Sequence, residues 1–182
     1  RQGVGAGAGP AHSNTPRRSI AGHGNGNRGK ESHQLQPAGN RQPATGDQKI
    51  ALADLKGKNV VLYFYPRDST PGCTTEGRDF RDKIHTFRRR NTVILGVSRD
   101  SIRSHENFKA KQQFPFELLS DADETLCRQF DVIREKNMYG RKVMGIERST
   151  FLLDDKGVLR REWRKVKVAG HVEEVLEAIK EL

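Results

Sequence analysis

Asn59-Val60-Val61-Leu62-Tyr63-Phe64-Tyr65-Pro66-Arg67-Asp68-Ser69-Thr70-Pro71-Gly72-Cys73-Thr74 is the stretch that decides the fold. From Val60 to Tyr65 it is β-branched and aromatic with no polar alternation, the pattern of a strand covered on both faces. Pro66 ends that strand. Beyond Cys73 the apolar residues Phe80, Ile84 and Phe87 recur at i, i+4 and i+7, which predicts a helix from about Thr74 to Arg89. Cys73 therefore stands at a helix N-terminus. Arg88, Arg89 and Arg90 fall at the other end, where cations complement the helix dipole.

Downstream, Thr92 to Ser98 reads as a second buried strand, Ser101 to Phe114 as a helix stopped by Pro115, and Ala122 to Phe130 as a helix capped by Asp121. Arg148 to Trp163 reads as two strands joined at Asp154-Asp155-Lys156-Gly157, with Trp163 a packing residue. A last helix runs from about His171 to Leu182 with Val172, Val175, Leu176 and Ile179 on one face. This order predicts an α/β domain with a mixed central sheet flanked by helices. Upstream, order begins near Gln48, where Ile50 and Leu52 alternate with polar neighbours before the Lys56-Gly57-Lys58 turn. From Arg1 to about Thr45 the chain is rich in Gly, Asn, Pro, Gln and Arg and shows neither period, so 1–45 is expected to be a disordered basic tail and 46–182 the folded domain. The Gly3 to Gly9 run has no preceding strand and no closing Gly-Lys-Ser/Thr, which excludes a phosphate loop.

The 182 residues hold 33 basic and 23 acidic side chains, a net charge of +10, and much of the excess lies in the tail. Two cysteines, Cys73 and Cys127, are too few for a disulfide scaffold and form no CxxC pair or zinc knuckle, so a reducing compartment is expected. No apolar run is long enough to cross a bilayer, and the tail is neither a secretory signal nor an amphipathic transit peptide. A cytoplasmic protein without membrane attachment is the expectation.

A thiol reacts as the thiolate, which needs nearby positive potential. The unpaired N–H groups and dipole of a helix N-terminus supply it, Gly72 lets the chain approach closely and Pro71 stiffens the turn. A lone cysteine is usually inert and buried, but the polar, Pro/Gly-shaped surroundings here favour an activated, partly exposed thiol. Pro66-x-x-x-Thr70-x-x-Cys73, set within Tyr63 to Glu76, resembles the active-site signature of the peroxiredoxins, specifically the bacterioferritin comigratory protein or PrxQ subfamily. The similarity continues through Asp79-Phe80-Arg81-Asp82, Leu119-Ser120-Asp121, Gly145 to Phe151 and Asp155-Lys156-Gly157. It covers about Gln48 to Leu182 and implies a thioredoxin-like fold.

The resemblance implies that Cys73 is the peroxidatic thiolate, reducing hydrogen peroxide and organic hydroperoxides and becoming a sulfenic acid. Thr70 and Arg148 would hold the peroxide and stabilise charge on the departing oxygen, and Pro66 would shape and shield the pocket. The subfamily often carries a resolving cysteine five residues beyond the peroxidatic one, where this chain has Arg78. Cys127 lies beside the apolar pair Leu126 and Phe130 and is read as a core residue. The expected cycle is therefore of one-cysteine type, resolved by an external thiol such as thioredoxin or a glutathione system. An atypical two-cysteine cycle using Cys127 is the alternative.

Relatives also carry a short strand pair before the region matching Gln48, which is expected to be missing here and replaced by a stretch foreign to the fold, as from an altered reading frame or start site. A cysteine hydrolase would need a base among His85, His105 and His171; His85 is three turns from Cys73 at about 1.5 Å per residue, and the other two read as exposed helix residues. A dithiol oxidoreductase would need a CxxC pair, and a nucleic-acid role for the tail would not explain Cys73. No cofactor or metal is expected, and the protein is read as a monomer or dimer.

Overall fold

The computed structural model describes residues 41–182. Along the chain run β1 (Gln42–Ala44), β2 (Gln48–Ile50), a 3-10 turn (Leu52–Leu55), β3 (Asn59–Phe64), α1 (Pro71–Asp82), α2 (Ile84–Arg89), β4 (Thr92–Ser98), α3 (Ile102–Gln112), β5 (Glu117–Ser120), α4 (Thr125–Gln129), β6 (Ile133–Met138), β7 (Arg141–Ile146), β8 (Ser149–Leu153), β9 (Leu159–Trp163) and α5 (His171–Ile179). A seven-stranded sheet of order β2-β1-β5-β4-β3-β8-β9 forms the centre, and β6 and β7 make a separate ribbon. β3, β4 and β5 are mutually parallel, and β8 lies antiparallel to β3 with Phe64 opposite Ser149. The mixed sheet with flanking helices is as expected.

Side-chain alternation on the central strands builds two cores. Val61, Tyr63, Ile94, Leu118 and Leu152 face α1, α2, α3 and α5 through Phe80, Phe87, Phe108 and Val175. Val60, Leu62, Phe64, Leu95, Val97 and Phe151 face the other way, onto Leu52, Leu126, Cys127, Phe130 and Val132. Because both faces are covered, β3 and β4 carry no polar alternation, which is why they read so clearly from sequence.

Several expectations shift. Order begins before Thr45: β1 pairs with β2 and with β5, Ala44 is opposite Leu119, and Thr45 is buried. A strand pair is present at Gln42–Ala44 and Gln48–Ile50, of which only the first strand lies before Gln48. The short, polar Gln-Pro-Ala and Gln-Lys-Ile segments gain their order from the neighbouring strand rather than from any pattern of their own. The rest of the expected tail, 1–40, lies outside the described residues. The helix expected over 74–89 breaks at Lys83 into α1 and α2, yet Phe80, Ile84 and Phe87 still meet one core, so the stripe survives the break. β5, β6 and β7 were not foreseen. β5 has four residues, and β6 and β7 are mostly solvent-facing, joined by Tyr139 and Gly140, both with positive φ, as tight hairpins require.

Candidate active site

Parallel strands present their C-terminal ends to one rim of the sheet, the usual place for chemistry in such folds. β3 ends there, Pro66 and the loop 67–69 follow, and Thr70 is the N-cap of α1 with Pro71 in its first turn. Cys73 sits in that first turn. Since β8 starts where β3 stops, residue 148 arrives beside the same loop. Arg148 Nη2 donates to Cys73 Sγ at 3.4 Å, while Nη1 donates to Glu76 Oε1 at 2.8 Å. One planar guanidinium therefore bridges the sulfur and the carboxylate one helical turn beyond it. Gly72 makes room, because a Cβ there would lie 3.1 Å from Arg148 Nη2.

The sulfur is more enclosed than expected. Cys73 is 2% exposed, in the core beside Tyr63, Tyr65 and Phe80 rather than partly open. Packing of α1 onto the sheet and the covering guanidinium account for the difference. Glu76 is wholly buried, and burial pushes its carboxyl up to about 7 against the pull of Arg148. Burial draws the Arg148 guanidinium down, but Glu76 and Cys73 outweigh it and hold it above its usual value. Glu76 Oε2 and the Tyr63 hydroxyl are buried without a hydrogen-bond partner among the described residues. Sequence reading quoted Glu76 but gave it no role; its position three residues after Cys73 on a helix was the available signal.

Thr70 and Pro66 stand on the loop that leads to Cys73, and the Thr70 hydroxyl donates to the Arg67 carbonyl at 2.8 Å. Pro66 lines an open cleft of about 380 Å3 with Arg67, Arg99, Asp100, Ala122 and Glu124. A larger cavity of about 530 Å3 opens elsewhere, between Ile84, Thr92, Val93 and Phe116 at the opposite ends of the parallel strands. It is remote from the thiol.

Two histidines taken for exposed residues are buried. His171 Nε2 lies 2.8 Å from Thr150 Oγ1, and burial, aided by Arg148, pushes its ring down to about 4. His105 lies 2.7 Å from Asp68 Oδ2 through Nδ1 and 2.9 Å from the Leu119 carbonyl through Nε2. Their hydrogen bonds run to Thr150, Asp68 and Leu119 and not to Cys73, and His85 is exposed, so among the described residues no histidine serves the sulfur as a base. Asp68, Asp100 and His105 come close enough to hold a cation. Their oxygens are already occupied: Asp68 accepts from Tyr65, Ser104 and His105, and Asp100 Oδ2 accepts from Ser98 and the Asp68 N–H. A cluster fed by that many protons is a hydrogen-bond network and not a metal centre.

Cys127 is fully buried in the core on the other face of the sheet from Cys73. Burial, and a hydrogen bond with Asp121, push its thiol well up. Asp121 also accepts the N–H groups of Leu126 at 3.0 Å and Cys127 at 2.7 Å. It thus satisfies first-turn N–H groups of α4, but the N-cap position is Glu124 and not Asp121, because that helix begins three residues later than the sequence suggested. Trp163 packs half-buried against the Cys73-side core. Arg78 is exposed on α1.

Comparison with known proteins agrees with this geometry. The AhpC/TSA family profile matches residues 35–162. Peroxiredoxin Bcp of Xanthomonas campestris is 59% identical over 136 residues, covering 75% of this chain and 85% of the relative. Peroxiredoxin Bcp of Bacillus subtilis is 52% identical over 135 residues, covering 74% and 86%. Among solved structures, the Xanthomonas campestris bacterioferritin comigratory protein superposes with a TM-score of 0.75 at 56% identity, covering 78% of this chain and 90% of that one. A cysteine-to-serine variant of Xylella fastidiosa PrxQ gives 0.77 at 45% identity, covering 82% and 95%. With its thioredoxin-like sheet, a cysteine at the start of α1 and these relatives, the chain belongs to the AhpC/TSA family as a peroxiredoxin of the bacterioferritin comigratory protein, or PrxQ, type.

Proposed function

We propose that Cys73 is the peroxidatic sulfur of a one-cysteine cycle, with Arg148, Thr70 and Pro66 forming its peroxide pocket. The observation that carries this reading is the Arg148 guanidinium, 3.4 Å from Cys73 Sγ and braced at 2.8 Å on Glu76. The thiolate attacks one peroxide oxygen. An S–O bond forms, the O–O bond breaks, and its electron pair leaves on the second oxygen, which takes a proton to become water or an alcohol. The sulfur is oxidised by two electrons to the sulfenic acid. Arg148 faces the charge that grows on the departing oxygen, and the Thr70 hydroxyl reaches the peroxide by rotating away from the Arg67 carbonyl. Pro66 walls the pocket from water. The substrates are hydrogen peroxide and organic hydroperoxides; for the Xanthomonas campestris relative, alkyl peroxide reduction is described.

Resolution falls to an external thiol, thioredoxin or a glutathione system. That thiol attacks the sulfenic sulfur and expels water, and a second thiol then cleaves the mixed disulfide to return Cys73 to the reduced form. Two features support this. Arg78 occupies the position of the usual partner, and Cys127 lies behind the sheet with its thiol held protonated by burial and Asp121. Among the described residues no helix is long and apolar enough to cross a membrane, which fits the proposed cytoplasmic role in peroxide defence.

Thiol-dependent peroxide consumption, with thioredoxin and glutathione systems tried in parallel, is the direct test; Cys73→Ser should abolish it. Intact-mass analysis after stoichiometric peroxide should show one added oxygen on the wild-type chain. A wild-type intramolecular disulfide missing from Cys127→Ser would replace this cycle by the two-cysteine alternative.

A further inference from the structure

We infer that His105 is a positioning residue for the Cys73 loop, acting through a buried contact to Asp68 at the middle of the Pro66–Thr70 turn. The inference rests on Cys73 being the reacting sulfur. Asp68 Oδ1 accepts from the Tyr65 hydroxyl at 2.7 Å, and Oδ2 accepts from Ser104 Oγ at 2.8 Å and from His105 Nδ1 at 2.7 Å. Its own N–H donates to Asp100 Oδ2 at 3.0 Å. A turn facing solvent is thereby tied to the end of β4, to α3 and, through His105 Nε2 and the Leu119 carbonyl at 2.9 Å, to β5.

Both ring nitrogens of His105 face oxygens, one a carboxylate and one a backbone carbonyl, and neither oxygen has a proton to give. His105 thus bridges Asp68 and Leu119, and its contact with Asp68 joins side chains that are 0% and 3% exposed. Such a contact demands close geometry, because a buried polar group left without its partner is costly. It fixes position more than it adds stability. The turn has reason to need fixing: Ser69 holds φ at 60°, the left-handed region that a serine leaves when its neighbours are free. Thr70, which caps α1 and carries a pocket hydroxyl, is the next residue. Releasing Asp68 lets Ser69 relax and carries Thr70 and Pro66 away from the sulfur.

Two near-isosteres separate the two contacts of the ring. His105→Asn retains a donor at the Nδ1 position toward Asp68 and gives up Leu119; His105→Gln does the reverse. Each is measured for single-turnover oxidation of Cys73 by hydrogen peroxide, for Cys73 alkylation by neutral iodoacetamide, and for its thermal midpoint. The expected result for His105→Gln is peroxide oxidation slower by about tenfold or more, with alkylation faster because the covering turn opens. His105→Asn should recover most of both rates, even though it also loses a core contact. Equal loss in the two variants, or wild-type rates in His105→Gln, would overturn the inference. Should both His105 variants lose their cooperative melt, Asp68→Asn is read instead: slow oxidation with fast alkylation supports the positioning role, and wild-type rates refute it. Cys73→Ser run alongside keeps the underlying assignment separate, since peroxide oxidation persisting there would condemn Cys73 itself and not His105.

Discussion

Replacing Glu76 by Gln should remove a pH-dependent cost built into the protein. The carboxyl is fully buried and moves from 4.5 to about 7 on folding. A displacement of that size corresponds to about 3 kcal/mol. Because the folded-state value lies above the unfolded one, folded Glu76 keeps its proton at pH values where the unfolded chain has released it. The associated stability is fully present below about 4.5 and is lost as pH rises through about 7. Between pH 5 and pH 7.5 the wild type should lose about 2 kcal/mol from this group. Glutamine does not titrate, and Arg148 stays charged throughout, so any fixed penalty of the substitution is the same at each pH. Urea unfolding at several pH values across that interval gives the two stability curves. Glu76→Gln should gain on the wild type by about 2 kcal/mol as pH rises, with the difference levelling off above pH 8. Curves that stay parallel would refute the burial argument and mean that Arg148 holds Glu76 ionised throughout.

Arg148→Lys should cut peroxidase kcat/KM on the order of a hundredfold, because an ammonium lacks the planar fork whose two nitrogens reach Glu76 and Cys73 separately; steady-state kinetics check this. Cys127→Ala should leave turnover at the wild-type level while costing about 1 kcal/mol in urea unfolding through the small cavity it leaves. Gly77→Ala should destabilise the fold: the added Cβ would sit 2.4 Å from Phe114 Cζ, whose ring is wedged between Phe108 and Phe116. Overpacking costs about 1 to 3 kcal/mol, more than the helix-propensity gain of about 1 kcal/mol, and a higher melting temperature would contradict this.

The sequence revealed the elements whose patterns are set locally. The runs 60–65 and 93–97 are apolar because each strand is covered on both faces, and Phe80, Ile84 and Phe87 keep their stripe across the Lys83 break because both short helices lean on one core. β1, β2 and β5 are too short for any period; β1 and β5 gain order by pairing across a long stretch of chain, and β2 by pairing with β1. The solvent-facing β6 and β7 bury too little to leave an apolar signature. At the site, Cys73 was visible as a helix-initial thiol, but Arg148 drew notice through family resemblance alone. His105 and His171 look like surface residues on helices because what buries them, Asp68, Leu119, Thr150 and Trp163, belongs to other segments. The left-handed serine at 69 carries no signal in its identity at all.

The two thiols sit on opposite sides of the central sheet. On the proposed cycle the sheet works as a bulkhead, with oxidant handled on one side and a reduced thiol stowed on the other. Joining the sulfurs would mean moving at least one of them out of its own buried core. On the proposed cycle, each turnover must therefore be closed from outside, and between turnovers the oxidation state of the folded chain is recorded on a single atom.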